Sequence, residues 1–81
     1  MTERQQLERN EDLRHTALEV LATRHPAALP LPAIRRRIEH TVDFKFDDDA
    51  LLSALDFLVG NNWARTEYDE LGSTRYWVST S

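Results

Sequence analysis

The stretch "ALLSALDFLVGNNWARTEYDELGSTRYWVS", residues 50–79, carries the clearest structural signals in this 81-residue chain. Leucine recurs in its first half at Leu51, Leu55 and Leu58, a spacing of three or four residues. This spacing places the leucines on one side of a helix. It predicts a helix over about residues 48–60 with its leucine side buried.

The rest of the stretch predicts a β-hairpin. The run "GNN" at 60–62 contains residue types that accept the left-handed backbone and end helices. Residues 63–69 and 74–80 are rich in aromatic and β-branched side chains, as strands are, and "ELGS" between them predicts the turn. A lone hairpin is marginal in water, so we expect it to pack on the helices and its aromatic side chains, such as Trp63, to cap the core.

Two more helices are predicted upstream. The first, about residues 10–24, buries four residues at helical spacing: Leu13, Ala17, Val20 and Leu21. The second, about residues 32–40, buries Ile34 and Ile38. Residues 1–10 are predicted to be a flexible or frayed extension, although "TERQ" offers a capping box as an earlier start. Residues 11–81 then form one α+β domain.

This pattern resembles the winged helix-turn-helix superfamily, in particular small bacterial or phage-encoded winged-helix proteins. The features that carry the resemblance lie in residues 50–79: a leucine-periodic helix, a Gly/Asn stop, a strand, a turn and an aromatic-rich strand. The resemblance extends over nearly all of residues 11–80. It implies a three-helix bundle with a C-terminal two-stranded hairpin, the wing. It also implies DNA binding by the third helix and the wing as the default activity, whereas other members bind proteins instead.

The charge distribution argues against the DNA-binding default. The chain has 10 Lys and Arg against 14 Asp and Glu, a net charge of −4. Residues 1–40 hold seven arginines and six acids, whereas residues 41–81 hold three basic residues and eight acids. A domain that depends on phosphate contacts usually has the opposite bias, because release of counterions supplies much of its affinity.

Other functional classes lack their sequence signals. The chain has no cysteine and only two glycines, and it matches no catalytic or phosphate-binding motif. His15, His25 and His40 are not at a metal-ligand spacing, so we predict no enzyme activity, catalytic residue, metal or cofactor. No apolar run approaches the roughly 20 residues of a membrane span, and residues 1–14 lack a signal-peptide stretch. The expected location is the cytoplasm, without a membrane partner.

The outward side of the third helix is the first candidate site. At 100° per residue, Asp49, Ala50, Ser53, Asp56 and Phe57 gather opposite the leucines. This side offers no Arg, Lys, Asn or Gln, the residue types that best match base edges. The acids at the start of the helix have an ordinary explanation, because they cap free N–H groups and complement the helix dipole. They would repel DNA all the same.

An exposed tryptophan is predicted on the hairpin. Neighbouring residues on a strand face opposite ways, so burial of Tyr76 and Val78 would turn Trp77 outward, where it would join Phe57 as an interface anchor. Alternatively, the N-terminal segment or the third helix covers Trp77, and a one-residue change of register would exchange the two faces. The leading hypothesis is recognition of a protein, either a second copy of the chain or a component of a transcription- or phage-related assembly. Its interface candidates are Asp49, Ser53, Asp56, Phe57 and Trp77.

The alternative hypothesis is a DNA-binding transcriptional regulator that acts as a dimer on double-stranded DNA. Its phosphate contacts would come from Arg35, Arg36, Arg37, Arg65 and Arg75. The first three do not form one stripe, and cations near a helix C-terminus also complement its dipole. The wing arginines are offset by three nearby acids.

Overall fold

Three helices and three short strands follow one another along residues 2–81, the part of the chain that the structure, a computed structural model, describes. In chain order they are α1 (Glu3–Arg24), β1 (Leu29–Pro30), α2 (Leu31–Glu39), α3 (Asp48–Gly60), β2 (Ala64–Tyr68) and β3 (Arg75–Ser79). The predicted α+β class is confirmed. The sheet, however, has three antiparallel strands in the order β1-β3-β2 instead of the predicted two.

Helix α1 begins seven residues earlier than the predicted start at Asn10. The capping box is formed: the Gln5 backbone N–H donates to Thr2 Oγ1 over 3.2 Å, and the Thr2 backbone N–H donates to Gln5 Oε1 over 3.1 Å. These bonds satisfy N–H groups that a helix start otherwise leaves without a partner. Residues 3–10, predicted as a frayed extension, therefore form the first two turns of α1.

Helix α3 spans the predicted residues, and backbone hydrogen bonds at its end hold Asn62 and Trp63 in place. Asp47 caps its start by accepting a hydrogen bond from the Ala50 N–H over 2.8 Å. At its end the Asn62 N–H donates to the Val59 carbonyl and the Trp63 N–H to the Leu58 carbonyl, both over 3.0 Å. This pair of bonds is the Schellman motif. Only Asn62 of the predicted stop has a left-handed backbone (φ 61°), and Gly60 is still helical.

Trp77 is buried, contrary to the prediction that it turns outward. Its exposed fraction is 2 %, Val78 is buried as well, and Tyr76 is only half-buried. The reason is the unpredicted strand β1, in which Leu29 pairs with Trp77. Because β1 occupies one edge of β3 and β2 the other, β3 is the central strand of the sheet. The side of the sheet that carries Trp77 packs on the helices.

The core lies between α1, the other two helices and this side of the sheet. All the core positions predicted for the helices are buried or half-buried. The buried set is Leu13, Ala17, Leu21, Leu29, Ile34, Ile38, Leu51, Ala54, Leu55, Leu58, Ala64 and Trp77. Helix α1 contacts α2, α3 and β3, and is thus the shared support of the fold.

Candidate functional site

An open groove with aromatic walls lies between α1 and the C-terminal end of α3. Its volume is about 470 Å³, and its lining includes Glu11, Arg14, His15, Leu18, Phe57 and Trp63. We call it the aromatic groove. Phe57 is 38 % exposed and Trp63 is 47 % exposed. Two large aromatic side chains are therefore available to a ligand on one surface.

The end of α3 places Trp63 against Phe57. In a Schellman motif the residue after the left-handed position turns back towards the last turn of its helix. Trp63 occupies this position, and its backbone carbonyl also accepts a hydrogen bond from the Thr80 N–H over 3.1 Å. The two ring centroids are 6.1 Å apart, with an angle of 64° between the ring planes. Both the backbone N–H and the backbone carbonyl of Trp63 are thus held by hydrogen bonds.

An arginine from α1 covers part of the Phe57 ring. The guanidinium carbon of Arg14 lies 4.0 Å from the centroid of that ring, within the range of a cation–π interaction. A planar guanidinium restrained in this way keeps its outer N–H groups available for a carboxylate. The groove therefore combines an apolar floor with a fixed positive charge at its side.

The acidic residues predicted for the outward side of α3 are exposed. Asp49, Ser53 and Asp56 all lie at the surface. Asp49 and Ser53 line a second groove of about 280 Å³, together with Gln6 and other polar residues of α1. The prediction that this side of α3 is acidic and carries a partly exposed phenyl ring is confirmed, and the long α1 forms its border.

Of the two predicted aromatic anchors, Phe57 is partly exposed and Trp77 is buried. Trp77 lies in the core and cannot contact a partner in this fold. Trp63, predicted to cap the core, is instead the exposed tryptophan beside Phe57. A signal for this placement was present, because Asn62 is a suitable left-handed residue and an apolar residue after it commonly packs on the helix end.

Three of the five predicted phosphate-binding arginines are committed to contacts within the chain. Arg35 forms an ion pair with Asp48 at the start of α3 and lies 3.9 Å from the Glu39 carboxylate. Arg65 is 3.4 Å from the Glu67 carboxylate. The guanidinium of Arg75 lies 4.5 Å from the Trp77 ring centroid.

The remaining two arginines lie apart from the aromatic groove. Arg36 and Arg37 are exposed on α2. Arg37 lines a separate open groove of about 380 Å³ between α1 and α2, with Arg24, His40 and Glu19. The arginines predicted to contact DNA are therefore not brought onto the outward side of α3.

No group of three or more His, Cys, Asp or Glu within residues 2–81 is placed to hold a metal ion. Over the same residues no helix combines the length and apolar character needed to cross a membrane. No protein-family model matches the sequence, and no curated protein or solved structure is significantly similar to it.

Proposed function

We propose that this chain is a non-enzymatic binding module of winged-helix type that recognises another protein through the aromatic groove. The hairpin that follows α3 supports the winged-helix assignment. The observation that carries the binding role is the pair of exposed rings of Phe57 and Trp63, held together at the end of α3. Aromatic residues are enriched where proteins bind one another, and such anchors supply most of the binding energy.

The surroundings of the groove favour a protein over a nucleic acid. Asp49 and Asp56 are exposed on the adjacent side of α3 and repel phosphates. Three of the five candidate phosphate-binding arginines already contact partners within the chain. A polypeptide can satisfy both parts of this surface, with apolar side chains in the groove and basic ones beside the acids.

Site-specific photo-crosslinking tests this proposal. A benzophenone amino acid in place of His15, on the groove lining, is expected to form covalent adducts with protein in the organism of origin. The same group in place of Arg36, which is also exposed but lies on α2, is the matched control. Phe57→Ala in the His15-labelled chain should abolish the adducts. Equal adducts at both positions, or none at position 15, would contradict the proposal.

The second candidate function is DNA binding, which the exposure of Arg36 and Arg37 on α2 favours. Titration of a fluorescent DNA duplex at low and moderate salt separates the two functions. A steep loss of affinity with salt, together with weaker binding by Arg36→Gln, would establish DNA binding. The proposed protein-binding role predicts no such salt-dependent binding.

A further inference from the structure

One exposed stripe of α1 has the pattern of a self-complementary interface. Leu7, Glu11, Arg14 and Leu18 lie within about 60° of one another around the helix, at 100° per residue. Leu7 is 60 % exposed although it is a large aliphatic side chain. Leu18 is half-buried and lines the aromatic groove, as do Glu11 and Arg14. The stripe therefore runs along α1 from an exposed leucine into the groove.

The order of residues along the stripe is symmetric. Leu7 and Leu18 have the same midpoint as Glu11 and Arg14, between residues 12 and 13. A two-fold axis through this point, perpendicular to α1, places each residue opposite its counterpart on an antiparallel second helix. Leucine then meets leucine at both ends, and each glutamate meets an arginine in the middle. Two-fold contacts between identical chains require such a self-complementary patch.

We infer that two copies of this chain form a dimer through antiparallel α1 helices, with Leu7 of each copy in the aromatic groove of the other. This inference rests on the proposed protein-binding role of that groove and names its occupant. The partner's Leu7 would contact Leu18, Phe57 and Trp63, and the partner's Glu11 would pair with Arg14.

The charges along the stripe fit pairing between chains. Within residues 2–81 neither Glu11 nor Arg14 belongs to a salt bridge, although they are only three positions apart. Arg14 instead lies over Phe57, where its outer N–H groups can donate hydrogen bonds to the partner's carboxylate. Opposite charges in an interface select the partner and fix its register.

The N-terminal turns of α1 form part of the interface in this dimer. Residues 3–8 are all exposed, yet a capping box starts the helix there. These turns bury little of the protomer's own surface, and Leu7 is the large apolar side chain they carry. In the dimer they place the Leu7 side chain in the partner's aromatic groove.

Charge reversal tests the inference on the full chain. Sedimentation equilibrium between about 5 and 500 µM should show a dimer for the unaltered protein. Glu11→Arg and Arg14→Glu, each alone, place like charges opposite each other and should weaken dimerisation by about tenfold or more. An equimolar mixture of the two variants restores both ion pairs, so a mixed dimer should form. Such rescue is not expected if the substitutions only damage the fold.

A matched leucine pair tests the apolar contact. Leu7→Glu should also weaken dimerisation by about tenfold or more, because a carboxylate would have to enter an apolar groove. Leu71→Glu is the control, since Leu71 lies in the hairpin turn and is 90 % exposed. It should leave the dimer unchanged. Circular dichroism checks that each variant remains folded.

The outcomes separate this inference from the proposed function. A monomer at all concentrations, with position-15 adducts to a different protein, overturns the dimer and leaves the protein-binding role standing. A dimer that survives Glu11→Arg and Leu7→Glu also overturns the inference. A monomer without adducts that binds DNA through Arg36 overturns both.

Discussion

The rings of Phe57 and Trp63 meet edge to face, with their centroids 6.1 Å apart, at the point where α3 ends and the chain turns into β2. Trp63 is thus the exposed tryptophan of the chain, whereas Trp77 lies in the core. The exposed aromatic surface therefore lies in the groove beside α1, and not on the outer side of the hairpin as predicted. The two tryptophans consequently have different energetic roles, which mutation can separate.

Replacement of Trp77 is expected to destabilise the protein far more than replacement of Trp63. Trp77→Ala should cost about 3–5 kcal/mol, because a large core side chain is removed. Trp77→Phe should cost less, because the buried Trp77 Nε1 has no hydrogen-bond partner and its removal relieves a desolvation cost. Trp63→Ala should cost about 1 kcal/mol or less, mainly from the lost ring contact. Urea unfolding measures all three, and equal costs at the two positions would contradict the pairing of Trp77 with Leu29.

Arg35 is expected to support the start of α3. A double-mutant cycle of Arg35→Gln and Asp48→Asn should give a coupling energy of about 0.2–1 kcal/mol, as for other exposed ion pairs. The coupling should fall in high salt because ions screen exposed charges. A cycle of Arg36→Gln with Asp48→Asn is the control and should show no coupling. The same coupling in both cycles would mean that the Arg35–Asp48 contact is not specific.

The pKa of the Asp69 carboxyl is expected to lie below its ordinary value of 3.8. Desolvation alone would raise this pKa, but hydrogen bonds from Ser73 and Thr74 together outweigh it and lower the pKa. The Ser73 backbone N–H donates to Asp69 Oδ1 over 2.8 Å, and the Ser73 hydroxyl donates to Oδ2 over 3.0 Å. An NMR titration of the carboxyl measures this pKa, and Ser73→Ala should raise it.

The pH dependence of stability follows from the direction of the Asp69 shift. A carboxyl whose folded-state pKa is lowered stabilises the fold above its unfolded-state pKa, and this contribution is lost as the pH falls through the folded-state pKa. The unaltered protein should therefore lose more stability below about pH 4 than Ser73→Ala does. A pKa at or above the ordinary value would show that the turn does not hold this carboxylate.

The two glycines are expected to respond to alanine with opposite signs. Gly72, in the hairpin turn, has a left-handed backbone with φ of 70°, so Gly72→Ala should cost about 1–2 kcal/mol although open space surrounds it. Gly60 is the last residue of α3, and an added methyl group there meets no atom within 4 Å. Gly60→Ala should stabilise the protein by up to about 1 kcal/mol. The shift of the denaturation midpoint measures each effect, and destabilisation by Gly60→Ala would contradict its helical conformation.

The local elements could be predicted from the sequence because they depend on neighbouring residues. Helical spacing of leucines defined α3 over residues 48–60, and the aromatic and β-branched runs defined both strands of the hairpin. The acidic, phenyl-bearing side of α3 followed from the same periodicity. Each of these features is set by side chains within a few positions of one another along the chain.

Only the tertiary structure decided which aromatic side chains reach the surface. Leu29 and Trp77 are 48 positions apart, and nothing in the local pattern of either segment requires them to pair. Their pairing makes β3 the central strand of the sheet, and Trp77 lies on the side of the sheet that packs on α1. Trp63 stays at the surface because it directly follows the end of α3, where it packs on the partly exposed Phe57 ring. Burial of a side chain depends on what lies across from it in space, and contacts between distant segments determine that.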